Sequence, residues 1–286
     1  MVVTGICFVS VTALVKLLGT RIPATEAAFL RYLLGLVFLA PFILQLFRTR
    51  FDRRAWALFA GRGIAHSVAV VLWFFAMARI PIADVTAMNY LSPVYVTLGA
   101  ALFLGERLAL RRVAAVIAAL VGALIILRPG FREVGAGHIA MLVAAVFFGA
   151  SYLLAKRASA MTSPGIVVAM LSLSVTLGLA PLAARVWVTP TLYELAILSA
   201  VALVATGAHY AMTLAFRAAP LTVTQPVTFL QLVWAVLLGA VFFDEGVDVF
   251  VVLGGMVIVC AISFISWREA VVRRRAVTPP VSATKF

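Results

Sequence analysis

Charge is scarce in this sequence, and negative charge is scarcer still. Charged residues make up 12% of the 286 positions, with 10 Asp and Glu against 23 Lys and Arg. A soluble domain carries roughly a quarter charged residues. With 65% hydrophobic residues and a mean hydropathy of +1.15, the chain has more apolar surface than one core can hide. The bilayer must be its solvent. Only two cysteines occur, Cys7 and Cys260, both in apolar segments, so a disulfide scaffold is excluded and two small buried apolar side chains are expected.

Missing motifs exclude further chemistry. No Gly-rich phosphate loop ending in Gly-Lys-Ser/Thr is present, so the chain does not itself hydrolyse ATP. No His/Cys/Asp/Glu cluster at metal spacing and no intramembrane carboxylate pair is found. Asp244, Glu245 and Asp248 form the one acidic cluster, without a partner cluster. No catalytic residue, metal or cofactor is therefore expected. The net charge of +13 comes with no basic amphipathic face or recognised nucleic-acid module, so no nucleic-acid partner is expected.

What is present is a series of apolar runs at 2–18, 25–47, 56–78, 82–104, 111–128, 136–156, 164–186, 192–216, 221–243 and 247–267. A membrane-spanning helix needs about 20 apolar residues, so ten spans joined by short loops account for nearly the whole chain. The first run lacks a charged leader and a small-residue cleavage site, and reads as a span rather than a cleaved signal. It is near the short limit, and whether a native extension precedes it is open. Beyond Trp267 the chain turns basic and Pro-rich, and disorder is expected there. With both termini cytoplasmic, fifteen basic residues fall on the cytoplasmic side and six on the other, as the positive-inside rule requires. Arg31 and Arg62 lie inside spans and are expected to snorkel towards an end.

The chain also repeats itself. A shift of 139 residues lays 81–106 over 220–245, so that Pro81 meets Pro220, Tyr95 meets Trp234, Phe103 meets Phe242 and Glu106 meets Glu245. A shift of about 140 brings Lys16 onto Lys156. Five spans per half is an odd number, so the halves are expected to cross the membrane in opposite directions, as inverted-repeat transporters do. The expected units are 1–130, 131–268 and a basic cytoplasmic tail, 269–286.

The run FFAMARIPIADVTAMNYLSPVYVTLGAALFLGERLALRRVAAVIAALVGALIILRPG resembles the EamA-like repeat of the drug/metabolite transporter superfamily. Its marks are a proline in the fourth span, a Leu-Gly-Glu-Arg turn and a glycine-containing fifth span ending near Pro-Gly. The segment AAVFFGASYLLAKR resembles the opening of that family's second repeat. The second half departs from the pattern, with Asp244-Glu245-Gly246 where Gly-Glu-Arg is expected. The resemblance implies an all-α membrane protein of ten helices in two inverted five-helix repeats, in the bacterial inner membrane. It also implies a central cavity fed by helices three, four, eight and nine, and transport of metabolites such as amino acids or vitamins.

Polar residues within spans are costly and tend to line cavities. The ninth span carries Thr224, Thr228 and Gln231 on one face, and the repeat lays Thr228 and Gln231 over Asn89 and Ser92 of the fourth. Interhelical hydrogen bonding is the alternative, at about 0.6–2 kcal/mol per contact. Pro93 and Pro226 remove helix donors beside these stripes and are expected to break the helices there; simple packing kinks are the alternative. Thr206, His209, Tyr210 and Thr213 share a face of the eighth span, and His66 and Trp73 one of the third. His66 and His209 are candidates for proton coupling, though they do not match under the repeat. Trp73, Tyr90, Tyr95, Tyr152, Tyr210 and Trp234 could form stacking walls. Trp56, Trp187 and Trp267 read as interfacial anchors. Lys16 and Lys156 are expected to snorkel, with Glu26 a potential partner of Lys16. The stripe Ala114, Ala118, Gly122 suggests close packing within the chain or in a homodimer.

The substrate-binding set expected from these readings is Asn89, Ser92, Tyr95, Trp73, Tyr152, His209, Tyr210, Thr213, Thr224, Thr228, Gln231 and Trp234. The expected partners are a small molecule and the bilayer, with the chain a monomer or homodimer. Export of amino acids, aromatic or neutral, by alternating access is the leading expectation. A vitamin or nucleoside carrier of the same superfamily is the alternative. A membrane enzyme acting on a lipid or isoprenoid is the alternative from another class.

Overall fold

The computed structural model describes residues 1–92, 94–95, 110–131, 133–218 and 230–277. Among these residues there are helices and no strands. They are α1 Val2–Leu18, α2 Ala24–Phe38, α3 Ala40–Phe47, α4 Arg53–Met77, α5 Ile82–Asn89, α6 Leu110–Leu127, α7 Ala136–Met161, α8 Pro164–Arg185, α9 Leu192–Ala218, α10 Leu230–Phe243 and α11 Val249–Val277. Four of them, α4, α7, α8 and α9, are long and apolar enough to cross a membrane. The pair α2 and α3 passes the same test jointly, although bent by 81°.

Local chemistry sets the helix ends. Asp52 caps α4 by accepting from the Ala55 N–H at 2.8 Å. Thr191 and Glu194 form a reciprocal capping box at the start of α9, with Thr191 N–H donating to Glu194 Oε2 at 2.7 Å and Glu194 N–H to Thr191 Oγ1 at 3.3 Å. Asp244 ends α10 with φ 52°, a left-handed conformation that Asp tolerates better than most side chains. It stands where the first half of the sequence has Gly105.

Three of the apolar runs do not match one helix each. The run 25–47 breaks at Leu39, because Pro41 lies at the first turn of α3 and supplies no donor to the preceding helix. The run 82–104 gives a helix that stops at Asn89, the residue whose carbonyl a proline at position 93 obstructs. The tail is helical as far as Val277, beyond the expected end at Trp267.

α4 packs along α7, α1 along α9, α2 along α8 and α6 along α11. Gly122 and Gly254 make the last crossing close: a Cβ on Gly122 would lie 2.7 Å from the Gly254 carbonyl. Of the small-residue stripe, Gly122 therefore packs within the chain. Ala114 and Ala118 instead line an open apolar groove with Leu253, Val257 and Cys260. Cys260 is exposed there and Cys7 half-buried, both as free thiols, so neither is the fully buried residue expected. Large apolar side chains such as Val37, Ile64, Leu177 and Val241 point outwards. Such a surface suits lipid rather than water. Trp56 and Trp187 are exposed near helix ends, whereas Trp267 is exposed within α11, ten residues before its end.

Candidate functional site

At one end of the bundle the helices are tied by charge. Lys16 at the end of α1 is ion-paired with Glu245, which follows α10. The same ammonium donates to the Ile80 carbonyl at 3.2 Å, and the same carboxylate accepts the Ile82 N–H at 3.0 Å. Arg21 meets Glu194, its Nε 2.6 Å from Oε1. Arg128 pairs with Asp248, and His138 Nε2 lies 3.1 Å from Asp84 Oδ2. Glu26 accepts the Val188 N–H at 2.8 Å. Apart from the Lys16–Ile80 bond, each of these contacts joins a residue before position 130 to one after 135.

Two expectations fall here. Glu26 does not reach Lys16, because the Val188 backbone holds it. Lys16 does not simply snorkel, because Glu245 is near enough to neutralise it. Lys156 donates to the Phe216 carbonyl at 2.9 Å, satisfying one of the carbonyls left open at the end of α9.

A cavity runs from the opposite end, where Met1 and Phe216 stand, to the middle of the bundle. Its mouth is open, and its enclosed volume is about 90 Å³, below the roughly 300–1,000 Å³ usual for small-molecule sites. Trp73, four residues before the end of α4, is among its lining residues. The walls are mainly aromatic. Phe148 and Tyr152, one turn apart on α7, stack nearly parallel at 5.8 Å and 9°. Trp73 meets the Phe148 ring edge-on at 5.7 Å, and Phe8 approaches Trp73 and His209 edge-on at 6.2 and 5.2 Å.

Polar groups are set into this wall at mid-depth. Asn89, Tyr90 and Ser92 come from the end of α5, where the helix stops, and Gln231 comes from α10. Ser92 Oγ donates to Asn89 Oδ1 at 3.3 Å. Gln231 fits against α1 because Gly5 has no side chain: a Cβ there would lie 2.8 Å from Gln231 Cγ. His66 is fully engaged, with Nε2 2.6 Å from the Tyr32 hydroxyl and Nδ1 3.0 Å from Ser151 Oγ. His209 meets the His66 ring at 5.3 Å, and its buried Nδ1 has no hydrogen-bond partner. Neither does the buried Thr4 hydroxyl, which lines the same space.

The cavity thus gathers Asn89, Ser92, Trp73, Tyr152, His209 and Gln231 from the expected binding set, together with His66 of the expected proton-coupling pair. Others do not reach it. Tyr210 turns to the Phe42 ring at 5.9 Å, and Thr213 donates to the His209 carbonyl. Residues at i+3 and i+4 differ by about 100° around a helix, so a stripe this wide straddles two neighbours. Tyr95 packs half-buried against the core, and Trp234 is exposed on the outer surface. Thr224, Thr228, Pro93 and Pro226 lie outside the described residues.

Arg31 and Arg62 do not snorkel: they are 3% and 1% exposed. The Arg31 guanidinium lies over the Tyr32 ring at 3.7 Å, and Arg62 donates to the Val167 carbonyl at 2.9 Å. The cavity positions Thr4, Phe8, Phe148 and Met212 had no mark in the sequence beyond membership of an apolar run. His138 and Asp84, both in the chain's few polar span ends, went unread although their pairing was a legible possibility.

The EamA-like transporter family matches the chain twice, over residues 1–128 and 135–267. A riboflavin transporter of Rhizobium johnstonii is 32% identical over 94% of this chain and 90% of its own length. An S-adenosylmethionine uptake transporter of Rickettsia bellii is 26% identical over 89% and 87%. A pseudopaline exporter of Pseudomonas aeruginosa is 28% identical over 91% and 92%. A solved crystal structure superposes with a TM-score of 0.61 over 96% of this chain and 99% of that one, at 18% identity, a likeness of fold alone.

Proposed function

The chain belongs to the EamA-like transporter family, and from that membership we propose that it carries a planar, ring-bearing metabolite across the bacterial inner membrane. It is a multi-pass membrane transporter rather than an enzyme. The observation that carries the substrate reading is the aromatic wall of Phe148, Tyr152 and Trp73 facing the amides of Asn89 and Gln231. Flat rings stack on such a wall, while the amides and the unpartnered Thr4 and His209 atoms offer hydrogen bonds to ring substituents. The riboflavin transporter among its relatives fits this chemistry.

Export of aromatic amino acids is the second reading, because the same wall suits an indole or phenol side chain. An amino acid, however, also brings an ammonium group, and no described carboxylate lines the cavity to receive it. The ring-solute reading is therefore preferred.

The proposed cycle is alternating access by two inverted five-helix halves spanning the bilayer ten times, with both termini cytoplasmic. Packing supports it: exchanging each helix for its counterpart maps α1 with α9 onto α7 with α4, and leaves α2 with α8 and α6 with α11 unchanged. In this reading the ion-paired end is closed and faces away from the cytoplasm, and the cavity opens inwards. His66 and His209 are proposed to link proton movement to the cycle. The test is flux in proteoliposomes for riboflavin, nucleosides and aromatic amino acids, with and without a pH gradient. Saturable riboflavin flux supports the reading; movement of amino acids alone would replace it with the second.

A further inference from the structure

Arg31 and Arg62 pose a problem of charge. Both are buried in the middle of the bundle, where an unpaired cation is expensive. No described carboxylate pairs with either. Glu26, Asp84, Glu194, Glu245 and Asp248 are all engaged at the ion-paired end, and Asp52 caps α4. Arg31 lies over the face of Tyr32, and Arg62 donates to one carbonyl, its buried Nε left without a partner.

Both charges sit one residue behind the cavity wall. Tyr32, under Arg31, is bonded to His66, and Arg62 is one turn before His66 on α4. His66 itself faces the cavity. In a site of low dielectric, two uncompensated positive charges act across a layer this thin. The unsatisfied atoms in the wall also suit an anion: the Thr4 hydroxyl can donate, and so can the His209 ring when its proton is on Nδ1.

We infer that the cavity selects its solute by charge, favouring a ring that bears an acidic substituent and rejecting a cationic one, with Arg31 and Arg62 as the specificity-determining residues. The solute supplies the counter-charge that the protein lacks. The inference rests on the cavity being the solute site.

The test uses the full chain in nanodiscs and three indoles of nearly equal size: anionic indole-3-acetate, neutral indole-3-acetamide and cationic tryptamine. Binding is read by calorimetry beside riboflavin. The expected order is acetate at least tenfold tighter than acetamide, with tryptamine weakest. Arg31→Gln is expected to reduce the acetate preference to under threefold, and Arg62→Lys to retain it. Arg62→Gln risks the fold through loss of the Val167 bond, so Arg31→Gln is the deciding variant. Equal binding of the three probes, or a preference untouched in Arg31→Gln, overturns the inference. Acetate preference without riboflavin binding keeps the inference and overturns the flavin-like substrate alone. No binding by any probe overturns both.

Discussion

Lys16 and Glu245 lie 229 positions apart in the chain and share one ion pair, joining the end of the first helix to the turn after α10. The carboxylate also holds the first N–H of α5, so three segments meet on one side chain. The pair is partly buried, and a net contribution of about 1 kcal/mol, the upper end for surface pairs, is enough to shift a two-state equilibrium about fivefold. Glu245→Gln is therefore expected to loosen that end. A cysteine replacing Trp73, in a background without Cys7 and Cys260, should then react at least threefold faster with an impermeant thiol reagent added on that side. Exchanging the charges, Lys16→Glu with Glu245→Lys, should restore slow labelling. Identical rates in all three proteins would reduce the pair to surface decoration.

Asn89→Ala and Gln231→Ala each remove an amide from the mid-depth wall without leaving a buried charge. Each is expected to lower flux of the transported solute at least tenfold, a loss of about 1.4 kcal/mol of interaction, while the protein still inserts and elutes as a single species. Normal flux in both variants would make these groups packing contacts and would move the solute site elsewhere.

These two residues show what was legible in the sequence. Hydropathy runs of near-constant length mark helices strongly, and the 139-residue shift pairs Asn89 with Thr228 and Ser92 with Gln231 by arithmetic alone. Facing direction is less legible. Trp234 and Gln231 are three residues apart, yet one is exposed on the outer surface and the other lines the cavity. In a lipid-facing protein both faces of a helix are apolar, so the amphipathic contrast that orients helices in water is lost. The ion pairs were illegible for another reason: partners between 120 and 229 positions apart are decided by packing that no local pattern encodes. Arg31 and Arg62 were misread because an intramembrane arginine is expected to reach water, and a tyrosine face and a carbonyl hold these two instead.

The two tryptophans separate cavity from surface. Trp73→Ala should abolish most of the ring-stacking affinity, lowering binding of the solute tenfold or more, since base–aromatic and ring–ring stacking contribute about 1–3 kcal/mol. Trp234→Ala, on the outer face, should leave binding within twofold. Comparable losses in both, measured as Kd in nanodiscs, would place the solute against the outer face of α10 rather than inside the bundle.

Gly5 and Gly122 are both sites of close approach, but their substitution should fail in different ways. A side chain at position 5 meets the stem of Gln231, 2.8 Å from its Cγ, and a flexible side chain can move aside. Gly5→Val is expected to cost about 1 kcal/mol, the lower end of the overpacking range, because the Gln231 side chain can rotate where a backbone cannot, and yet to depress flux as strongly as Gln231→Ala. At position 122 the obstruction is the Gly254 backbone itself, 2.7 Å away, and α6 and α11 cannot approach. Gly122→Val should cost about 1–3 kcal/mol, lowering the thermal midpoint by several degrees and reducing the yield of folded protein. The double variant Gly5→Val/Gln231→Ala provides the control. If Gly5 acts by seating Gln231, the second substitution adds no further loss of flux; an additive loss would mean that Gly5 serves the packing of α1 and leaves the glutamine unconstrained.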